Sequence, residues 1–109
     1  MRNYLRFLVI IKFKKLSIGT AQFGLNYGIN NEVGKTKVEE VSKILEFCAS
    51  VGINSIDTAA NYGEAEKILG KHDLASFKIT TKLSEIPNAC QDVNGWIENQ
   101  VFNSAKNLN

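Results

Sequence analysis

The sequence predicts an α/β protein in which parallel strands alternate with helices. Short apolar or β-branched segments alternate with segments whose apolar residues recur every three or four positions, and the connections between them are mostly short. The 109 residues, 44% of them hydrophobic, suffice for one small domain with a core. Alternating strands and helices form parallel sheets with right-handed crossovers. Such a sheet is expected to be buried on both faces.

The first elements are predicted to be a strand and a long helix. Residues 16–21 indicate a strand that ends in the turn-rich segment "GTAQFGLNYG". Residues 37–51 indicate a helix, because their apolar positions recur at three- and four-residue spacing. Thr36 and Glu39 have the spacing of a capping box at its start. Gly52 stands where a helix-ending glycine is expected.

The rest of the chain is predicted to continue the alternation. Residues 53–58 form a short strand, residues 63–70 a short helix closed by Gly70, and residues 77–83 a β-branched strand. A last helix is expected from Asp92 onward. Its predicted apolar face consists of Ile97, Val101, Ala105 and Leu108. The predicted order is therefore β-α-β-α-β-α.

Charge, cysteine content and hydropathy argue against several function classes. The net charge is +2, and the basic residues do not alternate with aromatic ones, so no nucleic-acid partner is expected. Cys48 and Cys90 match no metal-binding spacing and are interpreted as reduced thiols, Cys48 in the core. The apolar run 7–11 is far shorter than the roughly 20 residues that span a bilayer. We therefore expect a cytoplasmic protein with no metal site and no membrane partner.

Three polar residues are predicted to lie together at one end of the sheet. Asp57 ends the second strand, Tyr62 lies in the loop after it within "SIDTAANYG", and Lys82 lies near the end of the third strand. Parallel sheets carry their chemistry at the carboxyl ends of strands, where these loops begin. Adjacent strands would bring the three side chains close together.

A phenol, an ammonium and a carboxylate could form a proton-donating group. The ordinary pKa of tyrosine is about 10, and a neighbouring ammonium lowers such a pKa because it stabilises phenolate. In this interpretation Lys82 would provide the ammonium and Asp57 would hold it in place. Alternatively, the three residues have ordinary roles: a turn aspartate, a packing tyrosine and a solvated lysine. The residue types by themselves leave both interpretations open.

Three segments, "IGTAQFGLNYGI", "GINSIDTAANYGEAEKILGK" and "ITTKL", resemble the aldo-keto reductase family in their order and spacing. The resemblance is greatest to the bacterial branch whose first loop reads G-T-A-Q-F-G. It extends over residues 15–83, and the last helix is compatible with it. It implies a (β/α)₈ TIM barrel of which this chain supplies about the first three βα units. It also implies NADPH- or NADH-dependent reduction of a small aldehyde or ketone.

The resemblance also implies roles for individual residues. Tyr62 corresponds to the family's general acid, Lys82 to the lysine beside it and Asp57 to the aspartate that orients this lysine. The residues expected beside the nicotinamide ribose are Gly19, Thr20, Ala21 and Asp57. Residues 15–109 would form the reductase part, and residues 1–14 an added N-terminal strand or hairpin arm.

Two features of the family have no counterpart in the sequence. The family's histidine follows a fourth strand, whereas His72 lies after the second predicted helix and is interpreted as a surface residue. The loops that hold the cofactor's phosphates follow later strands of the barrel. We therefore expect this chain to be an incomplete and inactive piece of a reductase that binds NADPH weakly, if at all. Its three strands would expose the sheet face that lines the barrel interior and two strand edges, which should favour self-association.

Two other interpretations remain open. The chain could be a non-catalytic relic or interaction module that keeps the reductase pattern, since a fold does not prove an activity. It could also be an unrelated small α/β binding domain. A Rossmann dinucleotide site is disfavoured, because "GTAQFG" lacks the G-x-G-x-x-G spacing. The sequence specifies neither the carbonyl substrate nor the choice between NADPH and NADH.

Overall fold

The computed structural model describes residues 13–109. The predicted arm, residues 1–14, lies outside the described residues except for its last two. From Ile18 onward the chain follows the predicted alternation of strands and helices, with one additional short helix after the first strand. The elements are β1 (Ile18–Gly19), α1 (Ala21–Gly24), α2 (Val38–Val51), β2 (Ser55–Asp57), α3 (Ala65–Leu69), β3 (Lys78–Thr80) and α4 (Val93–Leu108).

The three strands form one parallel sheet in the order β1-β2-β3, which confirms the predicted fold class. Gly19 lies opposite Asp57, which in turn lies opposite Thr80. The carboxyl ends of all three strands are therefore in register at one edge. Because side chains alternate along a strand, residues at equivalent positions on these strands face the same side of the sheet.

One face of this sheet is covered and the other is not. Ile56, in the middle of β2, is fully buried, whereas its neighbours Ser55 and Asp57 are only half-buried. On β3, Lys78 and Thr80 are exposed. Burial on both faces, as expected from the alternation of strands and helices, is thus a wrong prediction for the described residues. The exposed inner face expected of three strands from an open barrel is observed. The apolar core lies on one face, and the polar strand ends lie on the other.

The core consists of buried side chains from the helices and the middle strand. Its members are Phe23, Val41, Leu45, Ile56, Ala65, Ile68 and Leu69. Burying one large aliphatic side chain contributes about 1.5–3 kcal/mol to folding. These contacts hold helices α2 and α3 against the sheet and thereby fix where the loops after the strands begin.

The first strand is shorter than predicted at both ends: it begins at Ile18 instead of residue 16, and the chain leaves the sheet at Thr20. The backbone N–H and the hydroxyl of Thr20 both donate to the Asp57 carbonyl oxygen, at 3.1 and 3.0 Å. The Phe23 N–H then donates to the Thr20 carbonyl at 2.9 Å, which begins a helical turn. Residues 20 and 21 are therefore not strand residues, and the first turn of "GTAQFG" forms helix α1.

Helix α2 matches the predicted span to within one residue, but the predicted capping box does not form. It ends at Gly52, which is left-handed with φ 83°, as the sequence indicated. The N-cap residue is Lys37, and no side chain caps the first turn. The capping box of Thr36 and Glu39 is therefore a wrong prediction. The Thr36 N–H instead donates to the Gln22 carbonyl at 2.8 Å, so this residue joins the helix start to the first loop.

Helix α4 begins where predicted, but it packs on a different face. The Asp92 carboxylate accepts a hydrogen bond from the Gly95 N–H at 3.0 Å and caps the helix. Ile97 and Val101 of the predicted apolar face are exposed, while Ser104 is buried. The predicted face is therefore wrong for most of its length, and the helix contacts the rest of the chain through a more polar stripe.

Gly70 explains how α4 approaches the rest of the fold. Its φ is −63°, which any residue can adopt, so its lack of a side chain matters for another reason. A Cβ atom on Gly70 would overlap the Asn107 carbonyl oxygen. The ends of α3 and α4 therefore touch backbone to backbone at this glycine.

Candidate active site

An ion pair joins the carboxyl end of β2 to the segment that follows β3. Asp57 is the last residue of β2, and Lys82 lies two positions beyond β3. The Lys82 Nζ donates to Asp57 Oδ1 at 2.6 Å. The two side chains remain 46% and 48% exposed, so this pair contributes at most about 1 kcal/mol to stability. The arrangement therefore affects the position and charge of the lysine more than the stability of the fold.

Tyr62 lies beside this pair. The Lys82 ammonium is 5.3 Å from the centre of the Tyr62 ring. The loop after β2 positions the ring, because the Tyr62 N–H donates to the Ala59 carbonyl and the Tyr62 carbonyl accepts from the Ala65 N–H, both at 3.1 Å. The three polar residues that the sequence singled out thus lie in one cluster, although Asp57 and Lys82 are 25 positions apart.

Backbone hydrogen bonds hold the two segments of this cluster together. The Thr58 N–H donates to the Thr80 carbonyl and the Ala60 N–H donates to the Lys82 carbonyl, both at 2.9 Å. The pairing of the two segments therefore continues beyond the strands. Lys82 is held at its backbone by Ala60 and at its ammonium by Asp57.

The hydrogen bond from Lys82 to Asp57 raises the pKa of the lysine above its ordinary 10.5. Lys82 therefore keeps its positive charge throughout the neutral range. A phenol oxygen becomes negatively charged as it gives up its proton. A positive charge beside the phenol stabilises that negative charge.

Two glycines bring the first helix against the Tyr62 loop. Gly63 is left-handed, with φ 58°. A Cβ on Gly24, at the end of α1, would overlap the Tyr62 carbonyl oxygen. Sequence reasoning assigned no role to Gly24. The glycine that closes "GTAQFG" was the only sign of it, and nothing local showed which backbone would approach it.

A cavity of about 320 Å³ opens beside the cluster. It is lined by Gly19, Thr20, Ala21, Gln22, Tyr27, Asp57 and Tyr62. The first-loop residues predicted to meet a cofactor therefore share one cavity with two residues of the cluster. At Gly19 the backbone borders open space, because no atom lies within 4 Å of the position that a Cβ would take. Thr20 is fully buried, and its hydroxyl donates to the Asp57 carbonyl. This bond joins the first loop to the end of β2 in the wall of the cavity.

His72 is not the surface residue that the sequence suggested. It is half-buried, and its Nδ1 lies 3.4 Å from the Ser42 hydroxyl of α2. It follows the carboxyl end of α3, whereas the cluster lies before the start of that helix. His72 therefore packs between helices, away from the strand ends.

Both cysteines are free thiols. Cys48 is buried on α2, as predicted, and burial raises the pKa of its thiol. Within residues 13–109 the acidic residues, cysteines and histidine form no group of three suited to a metal ion. In the same part of the chain, no helix combines the length and the apolar content needed to cross a bilayer.

The chain is similar to known proteins over most of its length. Residues 15–109 match the sequence model of the aldo/keto reductase family. A search of curated proteins found no match. Two solved structures from Pseudomonas aeruginosa, each called a "putative aldo-keto reductase", are similar to this chain, with TM-scores of 0.69 and 0.66. Their sequences are 27% and 26% identical to it.

The match to both structures covers 84% of this chain, but only 37% and 36% of theirs. The chain thus spans little more than a third of the length of these proteins. Its three βα units match part of their TIM barrel, as expected from the sequence. The family match covers nearly all described residues, including the cluster and the cavity. The chain therefore belongs to the aldo/keto reductase family.

Proposed function

We propose that this chain carries the proton-donating side of a site that reduces a small aldehyde or ketone with NADPH or NADH. The observation that carries the proposal is the cluster of Asp57, Tyr62 and Lys82 at the carboxyl edge of the sheet. Membership of a reductase family supports an oxidoreductase function for the cluster. The complete reaction belongs to a complete barrel, of which this chain is one part.

In the proposed reaction, the Tyr62 hydroxyl donates its proton to the carbonyl oxygen of the substrate. Lys82 stabilises the negative charge that the phenol oxygen acquires as its proton leaves. Asp57 holds the Lys82 ammonium by the 2.6 Å hydrogen bond. When bound, the nicotinamide supplies a hydride to the carbonyl carbon. Hydride and proton together convert the carbonyl to an alcohol.

The cavity wall fits the nicotinamide end of such a cofactor. At Gly19 a flat ring or a ribose could approach the backbone, because no side chain lies there. Ala21 adds only a methyl group, and the Asp57 carboxylate could accept a hydrogen bond from a ribose hydroxyl. These residues would bind and orient the cofactor beside Tyr62.

The chain without the rest of a barrel should bind the cofactor weakly. The residues assigned to the cofactor all lie at its nicotinamide end. We expect a dissociation constant no tighter than about 1 mM, equivalent to roughly −4 kcal/mol. The two free thiols support a reducing, cytoplasmic setting for the protein.

The test joins this chain to the remaining strands and helices of a matching family barrel and measures carbonyl reduction. Tyr62→Phe keeps the ring and removes the proton, so kcat should fall by about 10²–10⁴-fold with little change in cofactor binding. Lys82→Met and Asp57→Asn should also lower kcat. Tyr27→Phe is the matched control, since Tyr27 lines the same cavity but lies outside the cluster.

The assay follows the nicotinamide absorbance with a panel of aldehydes and ketones. Wild-type kcat in a folded, active Tyr62→Phe chimera would refute the proposed role of this residue. A folded wild-type chimera that binds the cofactor but reduces no carbonyl would favour the non-catalytic alternative.

A further inference from the structure

Glu66 is a buried carboxylate that the proposed reaction does not use. It lies on α3 and is only 4% exposed. The ion pairs of the described residues join Lys35 to Glu64 and Lys82 to Asp57, so neither includes Glu66. A buried carboxylate without a cation is costly unless hydrogen bonds compensate it.

Two hydrogen bonds from two different segments reach this carboxylate. The Thr81 hydroxyl donates to Glu66 Oε1 at 2.7 Å. The Asn107 side-chain amide donates to Oε2 at 3.2 Å from the last turn of α4. Glu66 therefore joins three segments: helix α3, the β3 end and helix α4.

The bond from Thr81 to Glu66 lies next to the cluster of Asp57, Tyr62 and Lys82, on the opposite side of the chain segment. Thr81 immediately precedes Lys82, and successive residues of an extended chain point to opposite sides. Thr81 contacts Glu66 on one side, while Lys82 contacts Asp57 and Tyr62 on the other. The Glu66 carboxylate thus holds the segment that carries Lys82, on the side opposite the Lys82 side chain.

Glu66 is equally close to the segment that carries the phenol. Helix α3 begins three residues after Tyr62, and the Ala65 N–H donates to the Tyr62 carbonyl at 3.1 Å. Helix α3 therefore follows Tyr62 closely in the chain. It also carries Glu66, which bonds to Thr81, the residue next to Lys82. Movement of Thr81 relative to α3 would change the distance from Lys82 to Tyr62.

We propose that Glu66 is a positioning residue, which sets the placement of Lys82 against Tyr62 by anchoring Thr81 to helix α3. Its importance for catalysis rests on the proposed function, but its effect on Lys82 does not. A purely structural role would change stability and leave the surroundings of Lys82 unaltered.

The test reads Lys82 directly in the 109-residue chain, with no cofactor or substrate. Lysine side chains are isotopically labelled, and the Lys82 signal is assigned by its loss in Lys82→Met. Its Cε chemical shift is recorded at neutral pH and through an alkaline titration. The neutral-pH shift provides a reading that alkaline unfolding does not affect.

Glu66→Gln keeps the size of the side chain but removes its negative charge and one of the two acceptor oxygens that Thr81 and Asn107 bond. We expect the Lys82 pKa to fall toward its ordinary 10.5, because the hydrogen bond to Asp57 loosens. Glu64→Gln is the matched control, since Glu64 precedes the same helix but is exposed and pairs with Lys35. It should leave the Lys82 signal unchanged.

A second pair of variants tests the contact from the other side. Thr81→Val removes the hydroxyl at nearly constant shape and should reproduce the effect of Glu66→Gln. Thr81→Ser keeps the donor and should behave like the wild type. This pair decides the proposal even if Glu66→Gln fails to fold.

Leu69→Ala separates positioning from stability, because it removes a buried side chain of the same helix that is not part of the hydrogen-bond network. It should lower stability without shifting Lys82. If Glu66→Gln and Thr81→Val lower stability in the same way and leave the Lys82 signal at its wild-type values, the positioning role is refuted.

The reductase chimera gives the catalytic reading. There Thr81→Val should lower kcat by up to about 10²-fold at nearly constant KM, the scale of a misplaced catalytic group. If Lys82 shifts in the chain but Tyr62→Phe keeps full activity in the chimera, the proposed function fails and the positioning of Lys82 stands. If Tyr62→Phe is inactive and Lys82 does not shift, the reverse holds.

Discussion

Helices α2 and α4 both carry apolar residues at helical spacing, yet they use them differently. In α2 the repeating positions Val41, Leu45 and Cys48 are buried against the core. In α4 the corresponding positions Ile97 and Val101 are 36% and 53% exposed. Of the α4 residues, the buried one is Ser104, and the end of the helix lies against Gly70 at backbone distance.

The difference shows that amphipathic spacing identifies a helix more reliably than it identifies the surface against which that helix packs. Helix α2 lies over the sheet, where a large apolar surface is available to its apolar stripe. Helix α4 meets α3 through close backbone contact at Gly70 and through the bond from Asn107 to Glu66. Small and polar groups suit a contact of that kind, so the apolar stripe of α4 faces away from it.

The largest expected effect tests the packing of the two stripes. Leu45→Ala removes a side chain that is 5% exposed and should lower the free energy of unfolding by about 2–5 kcal/mol. Val101→Ala is the matched change on α4 and should alter it by less than about 0.5 kcal/mol. Urea denaturation followed by Trp96 fluorescence measures both. Equal losses would show that the α4 stripe is packed in solution.

The next effect tests the backbone contact of α4. Gly70→Ala places a methyl group where the Asn107 carbonyl oxygen lies, so the two helices must separate. We expect a loss of about 1–3 kcal/mol, the usual cost of overpacking. Gly19→Ala is the control, because its Cβ would meet no atom within 4 Å. A neutral Gly70→Ala in the same denaturation assay would argue against the close approach of α3 and α4.

A smaller effect distinguishes the starts of the two helices. Asp92→Ala removes the acceptor for the Gly95 N–H and should cost about 1 kcal/mol. Thr36→Ala should be nearly neutral, because the Thr36 side chain does not cap α2 and its N–H bond to Gln22 survives the change. Thermal melts followed by circular dichroism can compare the two. If Thr36→Ala lowered stability by a similar amount, the capping box of Thr36 and Glu39 would be present in solution after all.

The smallest effect is a pH dependence that begins with Cys48 on α2. Burial raises the Cys48 pKa above 9.0, so the folded state binds the thiol proton more tightly than the unfolded state. The contribution of Cys48 to stability is fully present below pH 9.0 and is lost as pH rises through the folded-state pKa of the thiol. Lys82 adds a loss of the same sign only above 10.5. Cys48→Ala should make stability fall less steeply between these two pH values, as measured by urea titrations at each pH. An unchanged slope would contradict this prediction.

Local sequence patterns were enough to predict the alternation of strands and helices, the span of α2 and its end at Gly52. These features follow from local rules: apolar periodicity within one segment and the left-handed conformation that glycine adopts easily. The sequence also singled out Asp57, Tyr62 and Lys82, since residues at the ends of adjacent parallel strands lie near each other whatever the details of packing.

Local patterns did not predict which surfaces pack against each other. Where the chain leaves β1, Thr20 bonds to the Asp57 carbonyl, 37 positions away. The approach of Gly24 to Tyr62 and the bonds from Thr81 and Asn107 to Glu66 likewise join distant segments. The exposed stripe of α4 has the same origin, because helical periodicity shows that two faces differ but not which neighbour each face will find. Such contacts arise between segments that local periodicity treats as independent, and they come together only when the chain folds.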